Sequence, residues 1–139
     1  MRRSLACLAV AGALAFSGCG HLDLAPEGSP GRFVTGQVAL SDRAALPPGS
    51  VVTVRVVDAS VNGAPPDVLG TQTLNNPGST PVDFRVVYRA EDDVLRRGLN
   101  IEARVSVDGK MRYFNMNHYA LNLGNAAEPH QITVNPISP

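Results

Sequence analysis

The sequence LNIEARVSVDGKMRYFNM, residues 99–116, decides the fold of this chain. Its first half alternates apolar with polar residues, which is the period of a strand with one buried face. Asp108 and Gly109 follow, and both residue types tolerate the positive φ angles of a two-residue type I′ turn. The stretch therefore predicts a β-hairpin, with one strand over residues 99–107 and an antiparallel return over residues 110–117.

The return strand carries large side chains on both faces of its pattern. Met111 and Tyr113 fall on one face, and Phe114 and Met116 on the other. Because both faces are rich in apolar groups, we expect this strand to be covered on both sides. Residues 119–123 are expected to extend it or to form a short edge strand.

Further strands are predicted on either side of the hairpin. Residues 50–58 contain five valines and form the clearest strand, because β-branched residues favour strands. The same two-residue period occurs in residues 33–40, 68–74, 82–89 and 130–134, and proline and glycine clusters separate these segments. About seven short strands predict an all-β fold, specifically an antiparallel β-sandwich of immunoglobulin-like or transthyretin-like type.

Two local features depart from the strand pattern. Gly36 interrupts the first strand and suggests a β-bulge. Residues 92–97 place aspartates four positions before arginines, a spacing that favours ion pairs along one or two exposed helical turns. Gly98 is expected to end these turns, since glycine readily adopts the conformation that closes a helix.

The N-terminus has the order of a secretory signal. Two arginines precede an apolar run over residues 5–16, and the small residues Ser17 and Gly18 lead to Cys19. This order resembles a bacterial lipobox, in which the signal is cut before the cysteine. The apolar run is too short for a spanning helix, which needs about 20 residues. A plain secretory signal cut before Gly20, leaving no lipid, is the alternative.

The lipobox implies signal cleavage between Gly18 and Cys19 and a covalent diacylglycerol and N-acyl lipid on Cys19. Glycine at position 20 favours export to the outer membrane by resemblance to lipoprotein sorting in enteric bacteria. The expected location is thus the outer membrane of a Gram-negative bacterium, facing the periplasm. Residues 20–31 are rich in turn formers and predict a tether that reaches at most about 40 Å when extended.

Four segments are predicted: a lipoprotein signal peptide (1–18), a lipidated N-terminus and tether (19–31), a β-sandwich domain (32–135) and a C-terminal tail (136–139). Removing the signal from 139 residues leaves 121, a length that suits one domain. The remaining basic residues are spread along the strands, so we do not expect a nucleic acid partner. Cys7 leaves with the signal, and the fold is expected to hold without a disulfide.

The sequence offers no constellation for catalysis or metal binding. His21, His118 and His130 are far apart, no two of them have the spacing of zinc ligands, and no Gly-x-Ser-x-Gly motif accompanies them. We therefore predict no catalytic residue, no metal site, and no cofactor besides the lipid. The protein is expected not to be an enzyme, with hydrolysis kept only as a third hypothesis.

Binding is the class of function that the sequence favours. Aromatic and thioether groups suit partner recognition, and they cluster here in the candidate partner-binding residues Tyr113, Phe114, Met116, His118 and Tyr119. The same residues equally suit a core, and the sequence leaves both readings open. The alternative function is a carrier of a small ligand or soft metal through Met111, Met116 and His118, because thioether sulfur is a soft ligand.

Two motifs resemble a known lipoprotein family. Residues 45–54 read ALPPGSVVTV, with Asp-Ala-Ser at residues 58–60, and residues 105–110 read VSVDGK. Over residues 33–134 the chain resembles the YbaY and YscW family, described as type III secretion lipoprotein chaperones or pilotins. The resemblance implies a β-sandwich lipoprotein without catalytic residues, in a family whose pilotin members bind a secretin subunit and help it reach or assemble in the outer membrane.

The leading hypothesis is therefore an outer-membrane lipoprotein that binds or chaperones another envelope protein. A secretin is the first candidate for this partner. We expect contact through an exposed strand edge or through the aromatic patch, since an exposed edge offers unpaired N–H and C=O groups. A general structural lipoprotein of the envelope is the alternative.

Overall fold

Eight strands and one short helix make up the part of the chain that the computed structural model describes, residues 30–60 and 62–137. The elements are β1 (Gly31–Leu40), β2 (Ser50–Asp58), β3 (Asp67–Asn75), β4 (Val82–Arg89), α1 (Asp92–Arg97), β5 (Leu99–Val107), β6 (Lys110–Phe114), β7 (Ala120–Leu121) and β8 (His130–Pro136). The predicted signal peptide, the cleavage site at Gly18 and Cys19, and the tether up to residue 29 lie outside the described residues. Within them, the one helix is far shorter than a bilayer-spanning segment.

The predicted hairpin is confirmed. β5 and β6 pair in antiparallel register, and the turn between them holds Asp108 at φ 52° and Gly109 at φ 79°. Both values lie in the left-handed region that a type I′ turn requires. The predicted strand over residues 50–58 is β2, which pairs with β3 on one side and with β5 on the other.

The strands follow one hydrogen-bonded path, in the order β3-β2-β5-β6-β8-β1-β4, with β7 added to β5. The all-β prediction is confirmed, but the two halves of the expected sandwich are not separate sheets. Two residue pairs between β6 and β8, Tyr113 with Pro136 and Phe114 with Asn135, join them. At the other end of the path, the backbone N–H of Arg85 on β4 donates to Oε1 of Gln72 on β3, at 2.6 Å. The strands thus wrap around one core in a nearly closed barrel.

The pairing of β1 with β8 corrects the prediction of a purely antiparallel fold. These strands run parallel, from Gly36 opposite His130 to Leu40 opposite Val134, whereas the other pairs are antiparallel. A tight turn forces neighbouring strands to be antiparallel, but β1 and β8 are separated by most of the chain. Their direction is therefore set by packing and not by a local turn.

One apolar cluster fills the interior of the barrel. The two-residue period of the strands correctly predicts which side chains belong to this cluster. In β1 the buried residues are Val34, Val38 and Leu40, while Phe33, on the opposite face of the strand, is 55% exposed. The strands β2, β4, β5 and β8 contribute the same alternation. Fully buried members from these strands include Val52, Val54, Val56, Val86, Tyr88, Ile101, Val105, Ile132 and Val134.

Two strand glycines mark places where backbones approach closely. The expected bulge at Gly36 is wrong, because β1 keeps a regular register with β4 through this residue, and a regular pairing with β8 begins there. A Cβ at Gly36 would overlap the carbonyl oxygen of His130 and lie 2.8 Å from Cζ of Phe84. A Cβ at Gly70 of β3 would overlap the carbonyl oxygen of Val87 on β4. Glycine is needed at both positions because any side chain would push the strands apart.

A bulge lies instead in β6, where sequence alone predicted regular alternation. Tyr113 pairs with Val105, but Met111 pairs with Ser106, so Arg112 is the extra residue. A bulge changes the face on which the following residues lie. Tyr113 thus faces the core, Met111 is 47% exposed on the outer face, and β6 is not covered on both sides as expected.

The predicted helical turns are confirmed, but their ion pairs are not the predicted ones. Gly98 closes α1 at φ 95°, and its N–H donates to the carbonyls of Val94 and Leu95. The Asp92 carboxylate pairs with Arg32 of β1, and Arg97 lies 4.0 Å from Asp58 of β2. Partners from neighbouring strands therefore replace the partners four residues away along the helix.

Candidate binding surface

The predicted partner-binding cluster divides into structural and exposed residues. Tyr113 and Tyr119 pack against the core, whereas Met116 is 67% exposed and His118 is also exposed. Phe114 is half-buried on the outer face, opposite Arg104. The sequence cluster is thus not one continuous aromatic patch.

Tyr113 closes one end of the barrel. Its hydroxyl donates to Oδ2 of Asp42 at 3.0 Å. Burial raises the pKa of the Tyr113 hydroxyl, and the hydrogen bond and negative charge of Asp42 raise it further. These contacts give the side chain a role inside the fold.

Asn115 seals the part of β5 that β6 leaves uncovered. Its side-chain Oδ1 accepts from the N–H of Ala103 at 2.7 Å, and its Nδ2 donates to the carbonyls of Ile101 at 3.3 Å and Asn117 at 3.0 Å. The side chain is 4% exposed. A carboxamide thus takes the place of a strand backbone, because it offers the same donor and acceptor.

Tyr119 seals the facing edge of β8. The backbone N–H of Thr133 donates to the Tyr119 hydroxyl at 2.9 Å, and the hydroxyl lies 3.4 Å from the carbonyl oxygen of Thr133. The Tyr119 carbonyl in turn accepts from the N–H of Ile101 at 2.9 Å. Asn115 and Tyr119 therefore bridge the gap between β5 and β8.

We expect Tyr119→Phe to lower the free energy of unfolding by about 1 kcal/mol, because it leaves the Thr133 N–H without a partner. The matched control is Tyr88→Phe. The Tyr88 hydroxyl is buried and has no hydrogen-bond partner among the described residues, so its removal is expected to leave stability unchanged or higher. Urea denaturation of the two variants measures the difference, and equal losses would contradict this assignment.

The structure does not bring together the residues of the alternative carrier site. Met111 pairs with Ser106 at one end of β5, whereas His118 lines a pocket with Leu99 and Asn100 at the other. Six strand residues separate these ends, a distance of about 20 Å. Met111 and His118 therefore cannot share a ligand with Met116 in this fold, and the 30–60 and 62–137 portions contain no group of three or more His, Cys, Asp or Glu residues that could hold a metal.

An open groove lies beside the first half of β1. Its volume is about 300 Å³, and most of its lining is apolar. We call it the β1 groove, and its lining residues are Gly31, Arg32, Phe33, Thr35, Tyr88, Ala126 and Ala127. Its volume is at the lower limit of typical ligand pockets, which is enough for a few side chains.

An exposed apolar pair flanks the β1 groove on the outer face of the barrel. Phe33 of β1 lies opposite Val87 of β4, and they are 55% and 58% exposed. The guanidinium carbon of Arg85 stands 4.3 Å from the centroid of the Phe33 ring. Phe33 and Val87 thus form a small exposed apolar patch, and the cation–π contact holds the Phe33 ring in place.

The backbone of β1 is also open at this groove. The Arg85 N–H points away from β1, toward Gln72 on β3. In an antiparallel pair, the N–H and C=O groups of two opposite residues point either toward each other or away from each other. The N–H and C=O groups of Thr35, which lies opposite Arg85, therefore point away from β4. Phe33, two residues earlier, has the same orientation. β8 begins only at His130 opposite Gly36, and within the described residues no backbone partner reaches Phe33 on that side.

Sequence reasoning missed this surface, although part of its signal was present. The phase of Val34 and Val38 already placed Phe33 outside, and the phase of Val86 placed Val87 on the outer face with it. What a single sequence cannot give is the register of β8, which leaves the first half of β1 uncovered.

Comparison with known proteins identifies a family and a similar solved structure. The model of the YscW family, described as type III secretion system lipoprotein chaperone, matches residues 29–134. The solved structure of an alternative pilotin from the type II secretion system of Vibrio cholerae is similar, with a TM-score of 0.68 and 28% sequence identity. That similarity covers 79% of this chain and 100% of the pilotin chain. A search of curated proteins finds no match.

Proposed function

The chain belongs to the YscW family of type III secretion system lipoprotein chaperones, and from this membership we propose that it is an outer-membrane lipoprotein that binds a secretin in the periplasm. In this proposal a lipid on Cys19 anchors the chain, and the barrel binds the client. The role is one of binding and assembly, without catalysis. A chaperone of this kind needs a destination and a client surface, and the chain offers a candidate for each.

The family match carries this proposal, because it spans nearly the whole barrel. The similarity to a pilotin supports it at the level of the complete fold, since all of the pilotin chain is covered. The lipobox supports the anchor, and the exposed Phe33 and Val87 beside an open strand edge support a client surface.

We expect Cys19→Ser to abolish lipidation and to release the protein from the membrane or leave it unprocessed. A single acyl chain binds membranes only marginally, whereas several chains hold firmly, so loss of all of them is a large change. Metabolic labelling with a palmitate analogue and fractionation of the envelope measure both effects. Cys7→Ser is the matched control, because in this proposal that cysteine leaves with the signal peptide, and the variant is expected to behave as the wild type.

Client binding is tested with the secretin encoded in the same genome. The full lipidated chain, extracted in mild detergent, is expected to retain this secretin on an affinity column. A photocrosslinking residue at Phe33 should give an adduct with the secretin, whereas one at Thr73, exposed on the outer face of β3, should not. Deletion of the gene should deplete secretin multimers from the outer membrane. If the secretin neither binds nor changes in the deletion strain, the proposed function is wrong.

A further inference from the structure

The open edge of β1 requires a particular kind of ligand. The N–H and C=O groups of Phe33 face the β1 groove, and within the described chain no strand lies opposite them. Exposed backbone groups of this kind are satisfied by an extended peptide, which adds as a strand and forms the missing ladder. A compact or helical partner would leave them unpaired.

The side chains of the groove add a second requirement. Tyr88 is 1% exposed, and its hydroxyl has no hydrogen-bond partner among the residues described. Tyr88 lines the groove, but its hydroxyl is itself shielded from solvent. Most of the groove lining is apolar, so the groove suits an apolar side chain of the ligand.

The charge around the groove adds a third requirement. Arg85 lies on the outer face of β4 next to Val87, and Arg32 lines the groove itself. Of these, Arg32 is paired with Asp92, while Arg85 lies over Phe33. The positive charge of Arg85 beside the apolar pair favours a ligand with carboxylates beside its apolar side chains.

We propose that the edge of β1 at Phe33 binds an extended, apolar segment of an envelope protein partner that carries acidic residues at its ends. The segment adds as a strand beside β1 and places an apolar side chain in the β1 groove. The inference rests on the proposed function for the natural source of this segment, but the chemistry of the site can be tested without it.

The test titrates the full lipidated protein in detergent with a synthetic seven-residue peptide of alternating valine and leucine, with glutamate at both ends. Saturable binding is expected by calorimetry, and the amide of Phe33 is expected to exchange rapidly in the free protein and slowly in the complex. The same peptide with a central proline, which cannot form the ladder, should bind at least tenfold more weakly. Absence of saturable binding, or a Phe33 amide already protected in the free protein, would overturn the proposal.

Three variants locate the bound peptide. Ala127→Trp fills the groove and should weaken binding at least tenfold, whereas Leu123→Trp, on the same connection but not in the groove lining, should not. Arg85→Glu should weaken binding of the acidic peptide but not of one that ends in lysine. Equal affinities of Ala127→Trp and Leu123→Trp would place the peptide elsewhere and overturn the proposal.

The same variants separate this inference from the proposed function. If the secretin binds Ala127→Trp as well as it binds the wild type, the groove is not its site and the inference is wrong, while the proposed function stands. If the secretin binds neither protein, the proposed function is wrong, and the peptide titration still decides the inference. Sedimentation shows whether a second copy occupies the edge, and dimers abolished by Ala127→Trp would also overturn the proposal of a partner segment.

Discussion

Replacing Gly36 with alanine is expected to lower the free energy of unfolding by about 3 kcal/mol, a large fraction of the roughly 5–15 kcal/mol that stabilises a typical domain. The added Cβ would overlap the carbonyl oxygen of His130 and lie 2.8 Å from the ring of Phe84. The first contact is with backbone, so no change of rotamer can relieve it. The parallel pairing of β1 with β8 must open instead.

Gly31→Ala is the matched control for this variant. Gly31 lies in the same strand, and no atom lies within 4 Å of the place where its Cβ would be. Its backbone is not in the left-handed region, so alanine is expected to leave stability unchanged or to raise it slightly through the unfolded state. Urea denaturation followed by circular dichroism gives both midpoints. If the two alanine variants unfold at the same urea concentration, β1 and β8 are not as close as described.

Asn115→Ala is expected to lower the free energy of unfolding by about 3 kcal/mol as well, because several buried groups lose partners at once. The N–H of Ala103 and the carbonyl of Ile101 both bond to the Asn115 side chain, and these two residues are 1% and 0% exposed. Water cannot replace the lost bonds without entering the barrel. Opening this edge of β5 also exposes backbone groups that favour aggregation.

Asn117→Ala is the matched control for the Asn115 side chain. Asn117 is exposed and contributes its backbone carbonyl, which the substitution keeps, to the same network. We expect a change within about 0.5 kcal/mol for this surface substitution. Comparable losses of stability in the two asparagine variants would show that the 115–119 segment, and not the Asn115 carboxamide, supports the edge of β5.

The local elements could be predicted from the sequence because short-range physics determines them. Two strands and a turn illustrate this: the valines predict β2, the alternation predicts β4, and Asp108 with Gly109 predicts the turn. Each depends only on residues that are close together in the chain. The parallel pair of β1 and β8 and the bulge at Arg112 could not be predicted in this way, because they depend on strands far apart in sequence.

For the candidate site, the sequence predicted the type of contact surface but not its position in the fold. A strand edge was one of the two expected contact surfaces, and the phase of β1 already put Phe33 outside the core. The aromatic cluster near residue 115 was the other, but the chain uses Tyr113 and Tyr119 to close the barrel. The type of an aromatic residue does not say whether its side chain packs in the core, forms a hydrogen bond or faces solvent. A single sequence therefore cannot distinguish these roles.

By itself, the sequence determined the all-β class, the hairpin from Leu99 to Phe114, the alternation of buried residues and the family resemblance. These follow from local backbone preferences and from the short period with which apolar side chains recur along a strand. The tertiary structure alone decided that β1 and β8 run parallel, that Asn115 and Tyr119 replace missing strand bonds, and that Phe33 has an open edge. These depend on which backbone groups find partners across the whole fold, and that is settled only when distant strands pack around one core.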